Sequence, residues 1–236
     1  MKNTTFSDLI LYEDEDYMII NKSPFISTLA DRSSAFNILD QARDYMATAQ
    51  VCHRLDKETS GALALAKHPK AYQALAVQFE ERKVEKTYHA IADGIHDFHH
   101  VHIDLPILIS GKGVAKISRK GKPAQTIVHA LEAFKQHTLF ACHPVTGRLH
   151  QIRVHLAHMQ APIAGDVQYG GKPLYLSGLK RNFHLKKDTE ELPLIKRVAL
   201  HAKTLKFKLL NEQYISADAP YPKDFAVLMK QLEKYR

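Results

Sequence analysis

Only two cysteines occur in this 236-residue chain, Cys52 and Cys142, and they form no C-x-x-C pair. That scarcity argues against a disulfide framework and fits a reducing cytoplasm. No apolar run reaches the roughly 18 residues that a membrane-crossing helix needs, so no transmembrane helix is indicated. The opening stretch, MKNTTFSDLILYEDED, has a short apolar run but no signal-like apolar region ending in small residues. Glycine-rich phosphate loops of the Walker or dinucleotide type are missing, as are G-x-S-x-G and H-E-x-x-H. Those gaps leave nucleotide-driven chemistry, a serine nucleophile elbow and a helical zinc site without support. Histidines cluster at His99, His100 and His102, and again at His155 and His158, but no cysteine stands at zinc spacing from them. They are expected to be solvated or to face a polyanion, and neither a metal ion nor a cofactor is expected.

What the chain does have is positive charge. Lys and Arg number 33 against 25 Asp and Glu, a formal net charge of +8, with 15 histidines in addition. A basic chain of this kind points to a polyanion partner, most simply nucleic acid. Hydrophobic residues make up 45% of it, enough for a sizeable core in a single domain spanning 1–236. No linker-like run divides it, and no internal repeat appears.

The periodicity predicts short strands at Leu9–Tyr12 and Tyr17–Asn21 around the acidic turn EDED. It predicts a helix over Phe36–Met46, capped by Ser33 or Ser34, with Phe36, Leu39 and Ala42 facing inward. A buried strand follows at Ala62–Ala66. Pro69 opens a helix to about Arg82 that turns Tyr72, Leu75, Ala76 and Phe79 to one face. Strands are expected at Val84–Ala92, Val101–Leu105, Thr126–Phe134, Thr138–Pro144 and Val198–Leu210. A helix is expected over Leu149–Met159, a loop region over Gly165–Arg181, and a last helix from Pro222 that buries Phe225, Leu228, Met229 and Leu232. Runs of strands separated by helices make this an α+β fold with a mostly antiparallel sheet and flanking helices.

Three stretches concentrate polar side chains. The first is His53–Gly61, HRLDKETSG, which leads straight into an apolar strand. A carboxylate such as Asp56 at a strand mouth serves as nucleophile, base or metal ligand, or else closes an ion pair with Arg54 or Lys57. In the second, Lys86 and Tyr88 alternate on a strand and so share a face, where a cation and a phenol suit a planar base. The bland alternative is a surface lysine beside a core tyrosine. The third is Thr146–His158, TGRLHQIRVHLAH, where Arg148 stands at a helix start suited to phosphate, and His150 and Arg153 share neighbouring faces. Arg153, drawn in by apolar neighbours, needs a carboxylate partner, unless the polar face is simply solvated. Two basic loops, with Lys112, Lys116, Arg119, Lys120 and Lys122 in one and Lys180, Arg181, Lys186 and Lys187 in the other, suit a phosphate-tracking surface.

Taken in order, these stretches resemble the RluA-type family of RNA pseudouridine synthases. HRLDKETSG matches the family motif HRLDxxTSG, KTY at 86–88 its K-x-Y strand, and GRLHQIRVH its GRxHQ[LI]RxH motif. RKGKPAQT at 119–126 resembles the GKPA-x-T segment between the last two. The family pattern NKPxG is replaced here by NKSPF at 21–25. No segment that could form the small RNA-binding S4 domain of many relatives is expected ahead of the core.

The resemblance implies an isomerase that converts uridines in structured RNA to pseudouridine, with ribosomal RNA favoured over tRNA, without metal or nucleotide cofactor, and as a monomer. It implies that Asp56 is the essential carboxylate, by attack on the ribose or base or by proton abstraction through a glycal. Arg153 is implied as its ion-pair partner, and Tyr88 as the ring that stacks on the uracil. Arg54 is implied as an RNA contact and Leu200 as a pocket wall, while Lys86, Arg148 and His150, from the readings above, are expected to bind the substrate. The alternative is a non-catalytic RNA-binding or ribosome-assembly protein on the same fold.

Overall fold

The computed structural model describes residues 5–30, 36–111, 113–185 and 188–236. From the N-terminus the elements run β1 (Ile10–Glu13), β2 (Tyr17–Lys22), α1 (Ile38–Tyr45), β3 (Gln50–Val51), β4 (Ser60–Ala66), α2 (Pro69–Glu80), β5 (Glu85–Asp93), β6 (Val101–Asp104), β7 (Ile107–Ile109), β8 (Ala115–Ile117), β9 (Gln125–Ala133), β10 (His137–Pro144), α3 (Gln151–His158), α4 (Leu176–Leu179), β11 (Leu200–Lys208), β12 (Tyr214–Asp218) and α5 (Lys223–Lys234). This is the expected α+β architecture, with a large, mostly antiparallel sheet. The chain forms two compact units, Met1–Thr87 with His201–Pro220, and Tyr88–Leu200 with Tyr221–Arg236.

In the first unit the EDED turn is closed by Asp14, whose Oδ1 accepts the N–H groups of Asp16 and Tyr17 at 2.9 and 2.6 Å. That turn sets the antiparallel β1–β2 hairpin, and β2 continues antiparallel onto β4. β4 also runs parallel to β11, His201 opposite Ser60 and Ala202 opposite Gly61. Every residue of β4 is buried, as suits a strand covered on both faces. Its apolar side chains join Tyr17, Ile19, Leu75, Leu205 and Phe207 in one core. Each such large side chain contributes about 1.5–3 kcal/mol.

α2 is capped by His68, whose Nδ1 accepts the Ala71 N–H, with Pro69 just inside the start. Tyr72, expected on the buried face, is 38% exposed, and Ala71 takes its place beside Leu75. α1 begins two residues later than expected. Its cap is Asn37, whose Oδ1 accepts the Asp40 N–H at 3.0 Å, while Ser33 and Ser34 lie outside the described residues. Phe36 therefore precedes the helix and stands 61% exposed, and the buried stripe is Ile38 and Ala42.

In the second unit β5, β10, β9 and β6 form an antiparallel run, and β7 and β8 pair as a separate hairpin. α3 and α5 supply Ile152, Leu156, Phe225, Leu228, Met229 and Leu232 to its core. Arg197, 1% exposed, is held there by Asp224 at the start of α5, Nε to Oδ2 at 2.7 Å and Nη2 to Oδ1 at 3.0 Å. Burial alone would raise the Asp224 carboxyl, but the Arg197 hydrogen bonds and charge outweigh it and hold it below its ordinary range. The segment expected as loop over Gly165–Arg181 includes the short helix α4.

Candidate active site

Asp56 lies at the centre of a loop clipped down on both sides. Before it, the Thr28 hydroxyl accepts the Leu55 N–H at 3.1 Å and donates to the Leu55 carbonyl at 2.8 Å. After it, the Lys22 ammonium, fully buried, donates to the Lys57 carbonyl at 3.3 Å, and to the carbonyls of Ser23 and Ile26 at 3.0 and 2.8 Å. A buried ammonium has lost water, so these oxygens replace its solvation and hold two loops on one charge. The Asp56 carbonyl itself accepts the Thr59 N–H at 3.0 Å, which closes the turn. Asp56 is half-buried at this mouth and Arg54 is exposed.

The ends of the motif are anchored to the strand it feeds. The Ala64 N–H donates to His53 Nε2 at 3.0 Å, so that nitrogen is bare and the proton sits on Nδ1. The ring lies 4.7 Å from that of Phe79, and the Lys86 ammonium stands 5.9 Å from the same ring. Burial, with the Lys86 charge behind it, pushes the His53 pKa down to about 3. Burial also lowers Lys86, to about 8. Ser60 and His201 are fully buried. His201 Nε2 donates to the Ala219 carbonyl, so its Nδ1 accepts the Ser60 hydroxyl at 2.9 Å. That serine is structural. Gly61 has φ +114, and a Cβ there would sit 2.1 Å from the Ala202 carbonyl oxygen, so the parallel crossing requires glycine.

The other motif builds a second cluster, inside the second unit. His150 takes φ 52, so α3 starts at Gln151 and not at Leu149. The buried Gln151 amide uses all four of its bonding positions. Oε1 accepts the Thr146 hydroxyl and the Arg148 N–H, while Nε2 donates to the Gln125 carbonyl and the Thr126 hydroxyl. Arg148 Nε donates to the Pro123 carbonyl at 3.1 Å, which ties it to the GKPA segment. Arg153 grips Asp166 with two parallel bonds, Nε to Oδ2 at 2.7 Å and Nη2 to Oδ1 at 2.8 Å, and Nη2 also reaches Gln168 Oε1 at 3.1 Å. Its guanidinium lies 4.9 Å from the Tyr169 ring, and the Tyr169 hydroxyl bonds His150 Nδ1 at 2.9 Å. A planar cation held flat by a bidentate carboxylate and an aromatic face has one fixed orientation.

Of the residues singled out in the sequence, Arg54, Asp56 and Lys86 belong to the first unit, and Tyr88, Arg148, His150, Arg153 and Leu200 to the second. Arg148, His150 and Arg153 come together around α3. Tyr88 packs half-buried on the core of its unit, and Leu200 is 3% exposed within it. His155, expected on a solvated or polyanion-facing surface, is instead fully buried between Thr126 and the Leu105 carbonyl, and burial lowers its pKa. His99 and His100 stand against His129, with ring centres 5.8 and 4.7 Å away. Lys112, Lys186 and Lys187 lie outside the described residues. Missed in the sequence were Lys22, Thr28, Asp166 and Tyr169. The one available signal was the demand of Arg153 for a carboxylate, which Asp166, 1% exposed, meets.

The family profile described as RNA pseudouridylate synthase matches residues 16–158, which span both motif clusters. The ribosomal large subunit pseudouridine synthase C of Salmonella typhi is 35% identical over 213 residues, covering 87% of this chain and 64% of that protein. This chain thus spans under two thirds of that relative. Among solved structures, human RNA pseudouridylate synthase domain containing 4 aligns over 97% of this chain and 94% of that one, with a TM-score of 0.73 at 25% identity. Human RNA pseudouridylate synthase domain containing 1 aligns over 94% and 87%, with a TM-score of 0.68 at 26% identity. With the profile laid over more than half of its residues, the chain belongs to the RNA pseudouridylate synthase family.

Proposed function

We propose that this protein isomerises specific uridines of ribosomal RNA to pseudouridine, with Asp56 as the essential carboxylate. The observation that carries the reading is the loop around Asp56, fixed on both sides within a motif that the family profile covers. The curated relative is named for the large ribosomal subunit, which favours ribosomal RNA over tRNA. In the reaction the uracil N1–C1′ bond breaks, the base turns over, and a C5–C1′ bond forms. The C5 proton leaves and N1 regains one, so no redox partner, phosphate donor or metal is required. Asp56 acts either by attack on the ribose or base, or by taking a ribose proton to give a glycal. Arg153, oriented by Asp166, serves as the cation for the carboxylate, and Tyr88 stacks on the uracil. Arg54, Lys86, Arg148 and His150 contact RNA, and Leu200 walls the pocket. A paired target base must be unstacked and flipped, at a cost of about a few kcal/mol. In this reading the whole of 1–236 acts as one catalytic domain, as a monomer in the cytoplasm.

The test uses large-subunit ribosomal RNA carrying tritium at uridine C5. Release of tritium, with a carbodiimide primer-extension stop at the modified position, is the expected result. Binding without release from ribosomal RNA or tRNA would make the protein a non-catalytic RNA binder. Free uracil as product would make it a nucleoside-cleaving hydrolase.

A further inference from the structure

Phe25 combines two properties that seldom occur together. Its backbone is left-handed, with φ 67, and its side chain is 52% exposed. Left-handed backbone is unfavourable for a bulky side chain, and glycine or short polar residues usually occupy it. Among the described residues the other non-glycine positions with positive φ all carry polar or charged side chains, and Phe25 alone is apolar. The NKPxG pattern of the resembling family has glycine at the position where NKSPF has Phe25. A single exposed apolar side chain is ordinary and needs no explanation. An exposed ring on an unfavourable backbone is a different case, because burial does not offset the strain within this chain. Strain of that kind persists where the surrounding structure fixes the backbone, and it clusters at functional sites.

The position indicates the partner. Lys22 gathers the carbonyls of Ser23 and Ile26, on either side of Pro24 and Phe25, onto the same ammonium that holds Lys57. Thr28, three residues on, grips both backbone groups of Leu55. The ring is therefore presented on a rigid loop fastened to the two neighbours of Asp56. We propose that Phe25 is a stacking platform for an unpaired RNA base beside the target uridine, a substrate-positioning residue of the site. The proposal rests on the pseudouridine synthase reading for the identity of its partner. Every base has a π-face, so the contact tolerates sequence and adds affinity without touching the reacting atoms.

The test compares the parent with Phe25→Gly, Phe25→Leu and Phe25→Trp. Glycine relieves the backbone and removes the ring, leucine keeps apolar bulk without a π-face, and tryptophan keeps the face. Binding is read by anisotropy of a fluorescein-labelled single-stranded RNA containing uridine. Turnover is read by tritium release from large-subunit ribosomal RNA, and folding by thermal midpoint. Phe25→Gly and Phe25→Leu are expected to raise Kd and KM by about 5- to 150-fold while kcat at saturation holds and Phe25→Trp stays near the parent. The Phe25→Gly midpoint is expected at or above that of the parent. Parental Kd and KM in the glycine and leucine variants would overturn the proposal. A parent that binds RNA through Phe25 yet releases no tritium would overturn the synthase reading and leave the stacking assignment standing.

Discussion

His53 is held neutral by geometry. The Ala64 N–H occupies its Nε2, Phe79 covers its ring, and burial with the nearby Lys86 charge puts its pKa at about 3. An unfolded histidine titrates near 6.5. The folded value is the lower one, so the stabilisation is complete above about pH 6.5 and drains away as pH falls toward the folded value. Denaturant unfolding is expected to show a loss on the order of 1 kcal/mol between pH 7 and pH 5, allowing for the partly exposed ring. His53→Gln offers an oxygen to the same N–H without that titration and should flatten the acid limb; parallel pH curves for parent and variant would contradict the account. Asp56 and His53 could be read from one contiguous motif. Asp166, Thr28 and Lys22 could not, because each lies outside the motif it supports, in surroundings that look like ordinary loop.

Among the elements, α3 is the most instructive. Its apolar spacing predicts a helix from Leu149, but the backbone turns left-handed at His150 and the helix starts at Gln151. What holds that start is the Gln151 amide, with Thr146, Arg148, Gln125 and Thr126 on its four bonding positions. Gln151→Leu keeps the volume and leaves several buried polar groups unpaired. A destabilisation of about 3 kcal/mol in urea unfolding is expected, with the Arg148 end of the helix loosened first in hydrogen exchange. A loss near zero would mean that the network is not what sets the helix start. Strong alternation made the long strands β9 and β10 legible to within a residue. β3, β7 and β8 were not, because two or three residues carry too little pattern to tell a strand from a loop, and β12 was not expected either. Phe36 misled for a related reason: its spacing fits the stripe of α1, but the Asn37 cap begins the helix after it.

For the whole molecule, the α+β class and the mostly antiparallel sheet followed from the order of strand and helix patterns. The division into two units did not, because each is assembled from separated stretches and no composition change marks where one stops. The net charge of +8 pointed to a polyanion before any motif was read, and the family resemblance narrowed that to RNA. In the proposed function, charge supplies affinity while the reaction rests on one carboxylate. The most direct test is Asp56→Asn, assayed for tritium release and RNA binding in the same preparation. The account predicts that release falls to background, at least about a thousandfold, while Kd stays within about twofold of the parent. Near-parental turnover by Asp56→Asn would contradict it.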